Sequence, residues 1–272
     1  QNTFTVTTGH QLNIFTGPLF FFHKILHTIR LSDELNKTFT GHHFVPIYWM
    51  NSEDHDIDEI GRFNLFGKKY VWEPDQQGAT GRMDPSDLQQ FVIELQQVFS
   101  NNSTALELVE LFGKAYTGFD DLTKATRFIV NELFKDHGLV IIDSDDAELK
   151  RAFIPYLEED IFKNTAHDVV SFTNKHLDNR GYHQQVNPRK INCFYLSKEG
   201  RHRIVKTEDE YHVLHTPIKI SEHEQREELH AHPKRFSPNV VTRPLFQEMI
   251  LPNLTYVGGA GELSYWFQYK DF

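Results

Sequence analysis

The sequence predicts an α/β fold whose core is a parallel β-sheet flanked by helices. Two observations predict it: strand-like apolar segments alternate with segments of helical periodicity, and a polar loop follows each predicted strand of the sheet. The chain has 272 residues, of which 39% are hydrophobic and 13% aromatic, so it can bury a substantial core.

The first part of the predicted core, residues 1–60, has the order strand, loop, helix, strand, loop. Thr3 to Thr8 is rich in Thr, Phe and Val and is predicted to be a strand. A helix is predicted from about Leu19 to Leu35, with Thr16 as its N-cap. Phe44 to Met50 is predicted to be a buried strand. This order is typical of parallel α/β sheets.

Residues 61–120 break that order and are predicted to be an insertion. Arg62 to Glu73 has a turn glycine, Gly67, between two mixed runs and is predicted to form a hairpin. Pro85 to Phe99 and Thr104 to Phe112 are predicted to be helical.

The core is predicted to continue over residues 121–181. Leu122 to His137 is predicted to be a helix and Leu139 to Ile142 a short strand. Glu148 to His176 is predicted to be helical, with an interruption at Pro155 because proline lacks the N–H that a helix needs.

Residues 182–232 are predicted to be a second insertion, and residues 233–272 the end of the core. Asn192 to Leu214 alternates in polarity and predicts one or two hairpins, followed by a charged helix from Ser221 to His230. A short helix is predicted within Ser237 to Pro252. Leu254 to Val257 is predicted to be the last strand of the parallel sheet.

Composition excludes several classes of partner. There are 28 basic and 38 acidic residues, a net charge of -10, which argues against a nucleic-acid partner. No apolar run reaches the length of about 20 residues that a membrane helix needs. The one cysteine, Cys193, cannot form an internal disulfide or a cysteine-based zinc site, is expected in the core, and suits a cytoplasmic setting. Because the chain begins at Gln1 and stops at Phe272 within a predicted helix, we expect a portion of a longer protein.

Ligands of open α/β sheets bind beyond the carboxyl ends of the strands. Four polar loops follow predicted strand ends, at residues 9–17, 51–56, 143–145 and 258–262. In the first loop, Gly9 and Gly17 permit close backbone approach, and the following helix N-terminus favours an anion. An ordinary strand–helix loop is the alternative. Side chains that could add hydrogen bonds there are those of His10, Gln11, Asn13 and Thr16.

The second loop concentrates charge. Ser52, Glu53, Asp54, His55 and Asp56 are consecutive, and three carboxylates with an imidazole could bind a divalent cation or supply a general base. Carboxylates this close are expected to raise one another's pKa values. A solvated acidic loop is the alternative.

The last loop is rich in glycine, but it lacks the G-x-G-x-x-G spacing and follows the last strand, so a nicotinamide or flavin site is excluded. Either an anion-binding turn or a plain glycine turn remains.

These segments resemble motifs of the cysteine-adding enzymes of bacillithiol biosynthesis. The matching segments, in family order, are Gly9–Pro18 followed by Lys24, Val45–Met50 followed by Ser52–Asp56, Phe236–Val240 followed by Arg243–Leu245, and Leu254–Trp266. The residues singled out within the last three are Trp49, Asn239, Arg243, Gly258, Gly259, Gly261 and Glu262. The sequence has neither a clean His-x-Gly-His signature nor a Lys-Met-Ser-Lys-Ser loop.

The resemblance implies a Rossmann-like core of the nucleotidyl-transferase type, with α and β-hairpin insertions. It implies a ligase that adds cysteine to glucosaminyl-malate. It also implies a C-terminal coiled coil, absent from this chain, through which a homodimer could form. Forming an amide from a free carboxylate needs activation, most simply as an acyl-adenylate, so ATP and Mg²⁺ are expected cofactors and zinc is not.

Under this reading the phosphates would lie at the 9–17 loop, and His10, Asp54 and His55 are the candidate catalytic residues, with Asp54 or His55 as the base. The other residues named in the motifs are candidate binding residues. We predict that His10, His55, Asn239 and Glu262 open onto one cleft. Two alternatives stay open: a metal-dependent hydrolase or phosphoesterase using residues 52–56, and a non-catalytic nucleotide-binding module.

Overall fold

The structure is a computed structural model, which describes residues 2–272. The chain divides into two compact units. The first runs to Ser144 and includes Leu254–Val257, and the second comprises Asp145–Asn253 with Gly258–Phe272. The predicted limits of the two insertions within the core remain predictions.

Residues 2–272 contain eleven strands, arranged in three sheets. They are β1 (Thr3–His10), β2 (His43–Met50), β3 (Arg62–Leu65), β4 (Lys68–Val71), β5 (Val140–Asp143), β6 (Cys193–Leu196), β7 (Arg201–Thr207), β8 (Glu210–Val213), β9 (Lys219–Ser221), β10 (Phe236–Pro238) and β11 (Asn253–Tyr256).

The same residues contain ten α-helices. They are α1 (Phe20–Thr38), α2 (Ile57–Ile60), α3 (Gln89–Val98), α4 (Ser103–Gly118), α5 (Leu122–Phe134), α6 (Ala147–Lys163), α7 (Thr165–Asp178), α8 (Glu222–Ala231), α9 (Arg243–Ile250) and α10 (Ala260–Trp266).

The predicted parallel sheet is confirmed, with strand order β11-β1-β2-β5. β1 and β2 are parallel in a register that pairs His10 with Met50, and β2 and β5 are parallel in a register that pairs Met50 with Asp143. β11 lies beside β1, and the N–H of Val257 donates to the carbonyl of Thr7 at 2.7 Å. The last predicted strand therefore belongs to the same sheet as the first. Most residues of β1 and β2 are buried, as expected for strands covered on both faces.

The first unit builds its core between this sheet and helices. α1 packs against β1 and β2 with one face, on which Phe21, Ile25 and Ile29 recur at helical spacing and are buried. The predicted hairpin is confirmed as β3 and β4, where Phe66 and Gly67 both have positive φ, as a tight two-residue turn requires.

The predicted N-cap of the first helix is wrong. α1 begins at Phe20 after Leu19, and no side chain caps it. Thr16 instead has a φ of 67°, and its hydroxyl donates to the carbonyl of Phe15. Thr16 ends a short turn of 3-10 helix over residues 14–16 that precedes α1, which the residue types alone did not reveal.

The second unit contains an antiparallel sheet of order β10-β6-β7-β8-β9, which confirms the predicted hairpins. Cys193 is buried on β6, as predicted. The predicted interruption at Pro155 is wrong, because α6 continues through it. The burial of Phe153, Ile154 and Leu157 outweighs the lost hydrogen bond. The break falls at Asn164, which adopts the left-handed conformation that asparagine tolerates.

Within residues 2–272, no helix combines the length and the hydrophobicity that crossing a bilayer requires.

Candidate functional site

The carboxyl ends of β1 and β2 bring the first two predicted loops together in the first unit. The N–H of Asn51 donates to the carbonyl of His10 at 3.0 Å. The amide of Gln11 donates to the carboxylate of Glu59 at 2.6 Å. Residues 9–17 and 51–59 therefore form one polar edge of the sheet, as the strand-end rule predicts.

The 9–17 loop has an unusual backbone. Phe15, Thr16 and Gly17 have consecutive positive φ values of 50°, 67° and 63°. Two contacts hold the loop: Ile14 is buried in the core, and the N–H of Phe15 donates to the hydroxyl of Tyr116 at 2.7 Å. Left-handed non-glycine residues cost about 1–3 kcal/mol each, so the surrounding core must hold them in place.

Gly17 packs directly on Asn13. A Cβ at position 17 would lie 2.5 Å from the Cβ of Asn13, and the φ of 63° disfavours any side chain. We expect Gly17→Ala to lower the free energy of unfolding by about 1–3 kcal/mol and Gly17→Val to lower it further, since a β-branched residue tolerates positive φ least. Urea denaturation measures both.

Gly261 provides the matched control for Gly17. It lies within α10, and an added Cβ would meet nothing within 4 Å. Gly261→Ala should leave stability unchanged or raise it by up to about 1 kcal/mol. Equal stability of Gly17→Ala and the wild type would show that the loop relaxes around the substitution.

Lys24 and Gly9 meet at the end of β1. The Lys24 side chain is buried, and its ammonium donates to the carbonyl of Gly9. A Cβ on Gly9 would lie 3.1 Å from the hydroxyl of Tyr256, at the end of β11. A side chain at position 9 would therefore push the Tyr256 hydroxyl away by a few tenths of an ångström. Tyr256 did not emerge from the sequence, because only the strand order places β11 next to β1.

The imidazole of His10 has a defined tautomer. Its Nδ1 lies 3.1 Å from the carbonyl of Gln11. A carbonyl can only accept, so Nδ1 carries the proton and Nε2 is the acceptor of the neutral ring. The ring contacts Phe21 edge-on, with centroids 5.6 Å apart.

Asp54 and His55 form a carboxylate–imidazole pair. Asp54 Oδ1 accepts from the backbone N–H of His55 at 2.8 Å and lies 3.6 Å from Nδ1 of the same residue. The side chain of His55 is 50% exposed, whereas that of Asp54 is 16% exposed. The imidazole therefore reaches solvent, and the less exposed carboxylate lies within ion-pairing distance of its Nδ1.

The remaining carboxylates of this edge have separate partners. Asp56 caps α2 by accepting from the N–H of Glu59 at 3.1 Å. Burial raises the pKa of Glu59, the charges of Asp54 and Asp56 raise it further, and the hydrogen bond from Gln11 opposes them. Within residues 2–272, no three His, Cys, Asp or Glu side chains are grouped to hold a metal ion.

Three predicted binding residues lie beneath the surface. Trp49, Ser52 and Glu53 are each 1% exposed. The hydroxyl of Ser52 donates to the carboxylate of Asp143 and lies 3.2 Å from the hydroxyl of Ser144. It therefore links the ends of β2 and β5. The geometry gives Ser52 a positioning role, and the binding roles of all three stay predictions.

In the second unit, Asn239 belongs to a buried network. Its Oδ1 accepts from the N–H of Val241 at 2.8 Å, and its amide donates to Asn192 Oδ1 at 3.3 Å. Asn192 in turn donates through its backbone N–H and its amide to the carboxylate of Asp160, at 2.6 and 3.0 Å. Both ends of the Asn239 side chain are thus used within the unit.

Asp160 makes folding depend on pH. Burial raises the pKa of Asp160 from 3.8 to about 6, although the donors of Asn192 oppose the shift. Because the folded protein holds this proton more tightly than the unfolded chain, protonated Asp160 contributes to the free energy of unfolding. This contribution is full below about pH 4. It is lost as the pH rises to about 6. The loss amounts to about 3 kcal/mol.

The measurement compares wild type with Asp160→Asn, which cannot ionise, by urea denaturation between pH 4 and pH 7. The stability of the wild type relative to the variant should fall across that window. Parallel curves for the two proteins would contradict the prediction.

The glycine loop of the second unit is a helix start. The N–H of Gly259 donates to the carboxylate of Glu262 at 2.7 Å, which caps α10. Gly258, Gly259 and Gly261 are outside the set of residues with positive φ. The loop therefore has the geometry of a capped turn, and its predicted anion-binding role stays a prediction.

The common cleft predicted for His10, His55, Asn239 and Glu262 also stays a prediction. His10 and His55 belong to the first unit, and Asn239 and Glu262 belong to the second.

A parallel sheet with polar loops at the carboxyl ends of its strands places the chain in the class of Rossmann-like α/β domains. The family model described as "Bacillithiol biosynthesis BshC, N-terminal Rossmann-like domain" matches residues 1–272, and the chain belongs to this family. This confirms the resemblance stated from the motifs.

Curated relatives agree with the family assignment. The chain is 48% identical to a protein of Flavobacterium johnsoniae over 272 residues and 46% identical to one of Christiangramia forsetii over 276 residues. A protein of Shouchella clausii is 31% identical over 282 residues. Each alignment covers 100% of this chain, and each relative is named "Putative cysteine ligase BshC". The chain spans about half the length of these relatives, 51%, 51% and 52% respectively.

Proposed function

We propose that the chain is the Rossmann-like half of a ligase that joins the carboxyl group of cysteine to the amino group of glucosaminyl-malate. The observation that carries the proposal is the Asp54–His55 pair at the strand ends that also present the 9–17 loop. Family membership and the names of the relatives support the cysteine ligase class. The acceptor and the mode of activation belong to the proposal alone.

Amide formation needs the amine to lose a proton and the carboxyl group to lose an oxygen. ATP with Mg²⁺, when bound, would supply the activation of the cysteine carboxylate. The residues at the end of β1 suit an anionic group there: α1 starts without a side-chain cap, and the cation of Lys24 lies one turn into that helix.

His55 is the base in this proposal. Asp54 lies on the Nδ1 side of the ring, and Nε2 would accept the proton from the attacking amine. The carboxylate then stabilises the imidazolium that forms. Asp54 acts as the positioning residue, because it is more buried and is already bonded to the backbone of His55. His10, whose Nε2 is also an acceptor, would orient the substrate at the adjacent loop.

The hydrolase alternative requires carboxylates that converge on one ion. Here Glu53 is buried, Asp54 is turned towards His55, and Asp56 caps α2. This division of roles favours a single base over a metal cluster.

The assay uses the full-length protein with cysteine, glucosaminyl-malate, ATP and Mg²⁺, and detects the product by mass spectrometry. We expect a product equal to the two substrates less one water, dependent on ATP. Nucleotide binding with no product would support a non-catalytic module. Metal-dependent release of phosphate or alcohol from ester substrates, again without amide formation, would support the hydrolase.

A further inference from the structure

The crevice between β11 and β1 is the topological switch point of the parallel sheet. From β1 the chain continues to β2 and β5 on one side, and it comes to the other side of β1 only with β11. Open α/β sheets bind ligands in the crevice that such a reversal leaves at the carboxyl ends of the strands. Gly9 in β1 and Tyr256 at the end of β11 flank this crevice, and both belong to the first unit.

Two polar side chains lie close to each other beside Gly9. A Cβ placed on Gly9 would lie 3.1 Å from the hydroxyl oxygen of Tyr256 and 3.8 Å from the side-chain nitrogen of Asn51. These two atoms are therefore no further apart than the sum of those distances. A carboxylate group can span such a separation with a hydrogen bond at either end.

The side chain of Asn51 is suited to a ligand at this place. Its backbone N–H donates to the carbonyl of His10 at 3.0 Å, which fixes the residue at the end of β2. In the part of the chain that the structure describes, its side-chain amide makes no hydrogen bond. The amide therefore contributes a donor to the polar edge that also carries His55.

Lys24 brings a positive charge to the same crevice. Its ammonium donates to the carbonyl of Gly9 and lies 6.0 Å from the centroid of the Tyr256 ring. Lys24 is 5% exposed, so its charge acts at a lower effective dielectric constant than a surface charge and attracts an anion more strongly. The crevice thus combines one cation with two neutral donors, an amide and a phenol hydroxyl.

We propose that Lys24, Asn51 and Tyr256 form a carboxylate-binding subsite at the switch point, which holds the carboxyl group of cysteine. One cation matches the single charge of a carboxylate, and hydrogen bonds to an ionised group are about twice as strong as neutral ones. A carboxylate has two oxygens, so these donors can hold one of them and leave the other for activation. This inference rests on the proposed function, because that function supplies the cysteine.

The position of the crevice selects cysteine among the anions of the proposed reaction. The amine must reach the carboxyl carbon of cysteine close to the base, and Asn51 begins the loop that carries His55. The malyl carboxylates do not react, so the chemistry does not require them next to the base. The triphosphate of a nucleotide carries several charges, which one ammonium does not balance.

The test measures ligand binding to the full-length protein by calorimetry, one ligand at a time and without turnover. Tyr256→Phe and Asn51→Ala should each weaken cysteine binding by about 10-fold, the loss of one hydrogen bond to a charged group. Both variants should bind cysteamine as the wild type does, because cysteamine keeps the thiol and the amine of cysteine but lacks the carboxylate. The affinities for ATP and glucosaminyl-malate should not change.

Tyr211→Phe is the matched control. Tyr211 lies in β8 of the second unit and is fully buried, so this variant also removes the hydroxyl of a buried tyrosine. It should bind all four ligands as the wild type does. Asn51→Ala keeps the backbone N–H that donates to His10, so it tests the side chain alone.

Unchanged cysteine affinity in the folded variants would overturn the subsite. Equal losses for cysteine and cysteamine would also overturn it, because the side chains would then support the thiol, the amine or the fold. A loss confined to ATP or glucosaminyl-malate would assign the crevice to that ligand and overturn it as well. If one variant does not fold, the other decides.

Failure of the proposed function has a different signature. A wild type that prefers cysteine to cysteamine, and loses that preference in Tyr256→Phe, but forms no amide would defeat the proposed function and leave the subsite standing. Amide formation by a protein whose two variants bind cysteine as the wild type does would defeat the subsite and leave the function standing.

Discussion

Asp145→Asn is expected to destabilise the protein by about 3–5 kcal/mol, the usual cost of removing one member of a buried ion pair. Asp145 precedes α6, and its carboxylate accepts from the ammonium of Lys150 at 2.7 Å. The two side chains are 6% and 1% exposed, so water cannot replace the lost charge. The reverse change, Lys150→Met, should cost less, because Lys234 lies 3.8 Å from the same carboxylate and remains to balance it.

Thermal and urea denaturation of the two variants measure the difference. The control is Lys163→Met, which removes the exposed pair between Lys163 and Glu159 on the same helix. An exposed pair of this kind is worth about 0–1 kcal/mol. If Asp145→Asn were no more harmful than Lys163→Met, water or a local rearrangement would have to reach Lys150.

The sheet could be predicted from the sequence because apolar and β-branched residues make up most of its two long strands, β1 and β2. A short apolar run such as Phe44–Met50 is typical of a strand buried on both faces, and the polar loop after it marks the carboxyl end of that strand. The hairpin at Gly67 was predictable for a similar reason, since the turn needs positive φ and glycine supplies it.

Local rules failed where tertiary packing outweighs them. Thr16 has the side chain of an N-cap but lies in a left-handed turn that Tyr116 anchors from α4. Pro155 breaks helices in general, yet the buried side chains on either side of it keep α6 intact. Neither Tyr116 nor the packing of α6 is visible in the residues next to these positions.

Only one feature of the candidate site could be predicted from the sequence, namely which loops lie together at the ends of neighbouring strands. The adjacency of residues 9–17 and 51–56 follows from two consecutive parallel strands. The hydrogen-bond partners of Asp143 and Asp145 do not follow from strand order. Asp143 accepts from Ser52 and Asp145 from Lys150, and only the folded structure brings these partners together.

His55→Ala in the full-length protein is expected to lower kcat for amide formation by about 100- to 10,000-fold, the usual contribution of a general base. The substrate affinities should change little, because the exposed imidazole acts on a proton rather than as an anchor. Asp54→Asn should cause a smaller loss, since it leaves the base in place and removes only the group that orients it. The control is His43→Gln, at the opposite end of the same strand β2, where the side chain is exposed and no effect is expected.

Two further readouts separate a base from a structural residue. Added imidazole should restore part of the activity of His55→Ala, because it can occupy the space that the side chain leaves and accept the same proton. It should not restore Asp54→Asn, which still holds its imidazole. The double variant Asp54→Asn/His55→Ala should be hardly worse than His55→Ala, since residues that act as one unit are not additive. Full activity of His55→Ala would remove His55 as the base and leave Asp54 or His10 for that role. A fall in activity matched by a fall in melting temperature, without rescue by imidazole, would show that the pair only supports the loop.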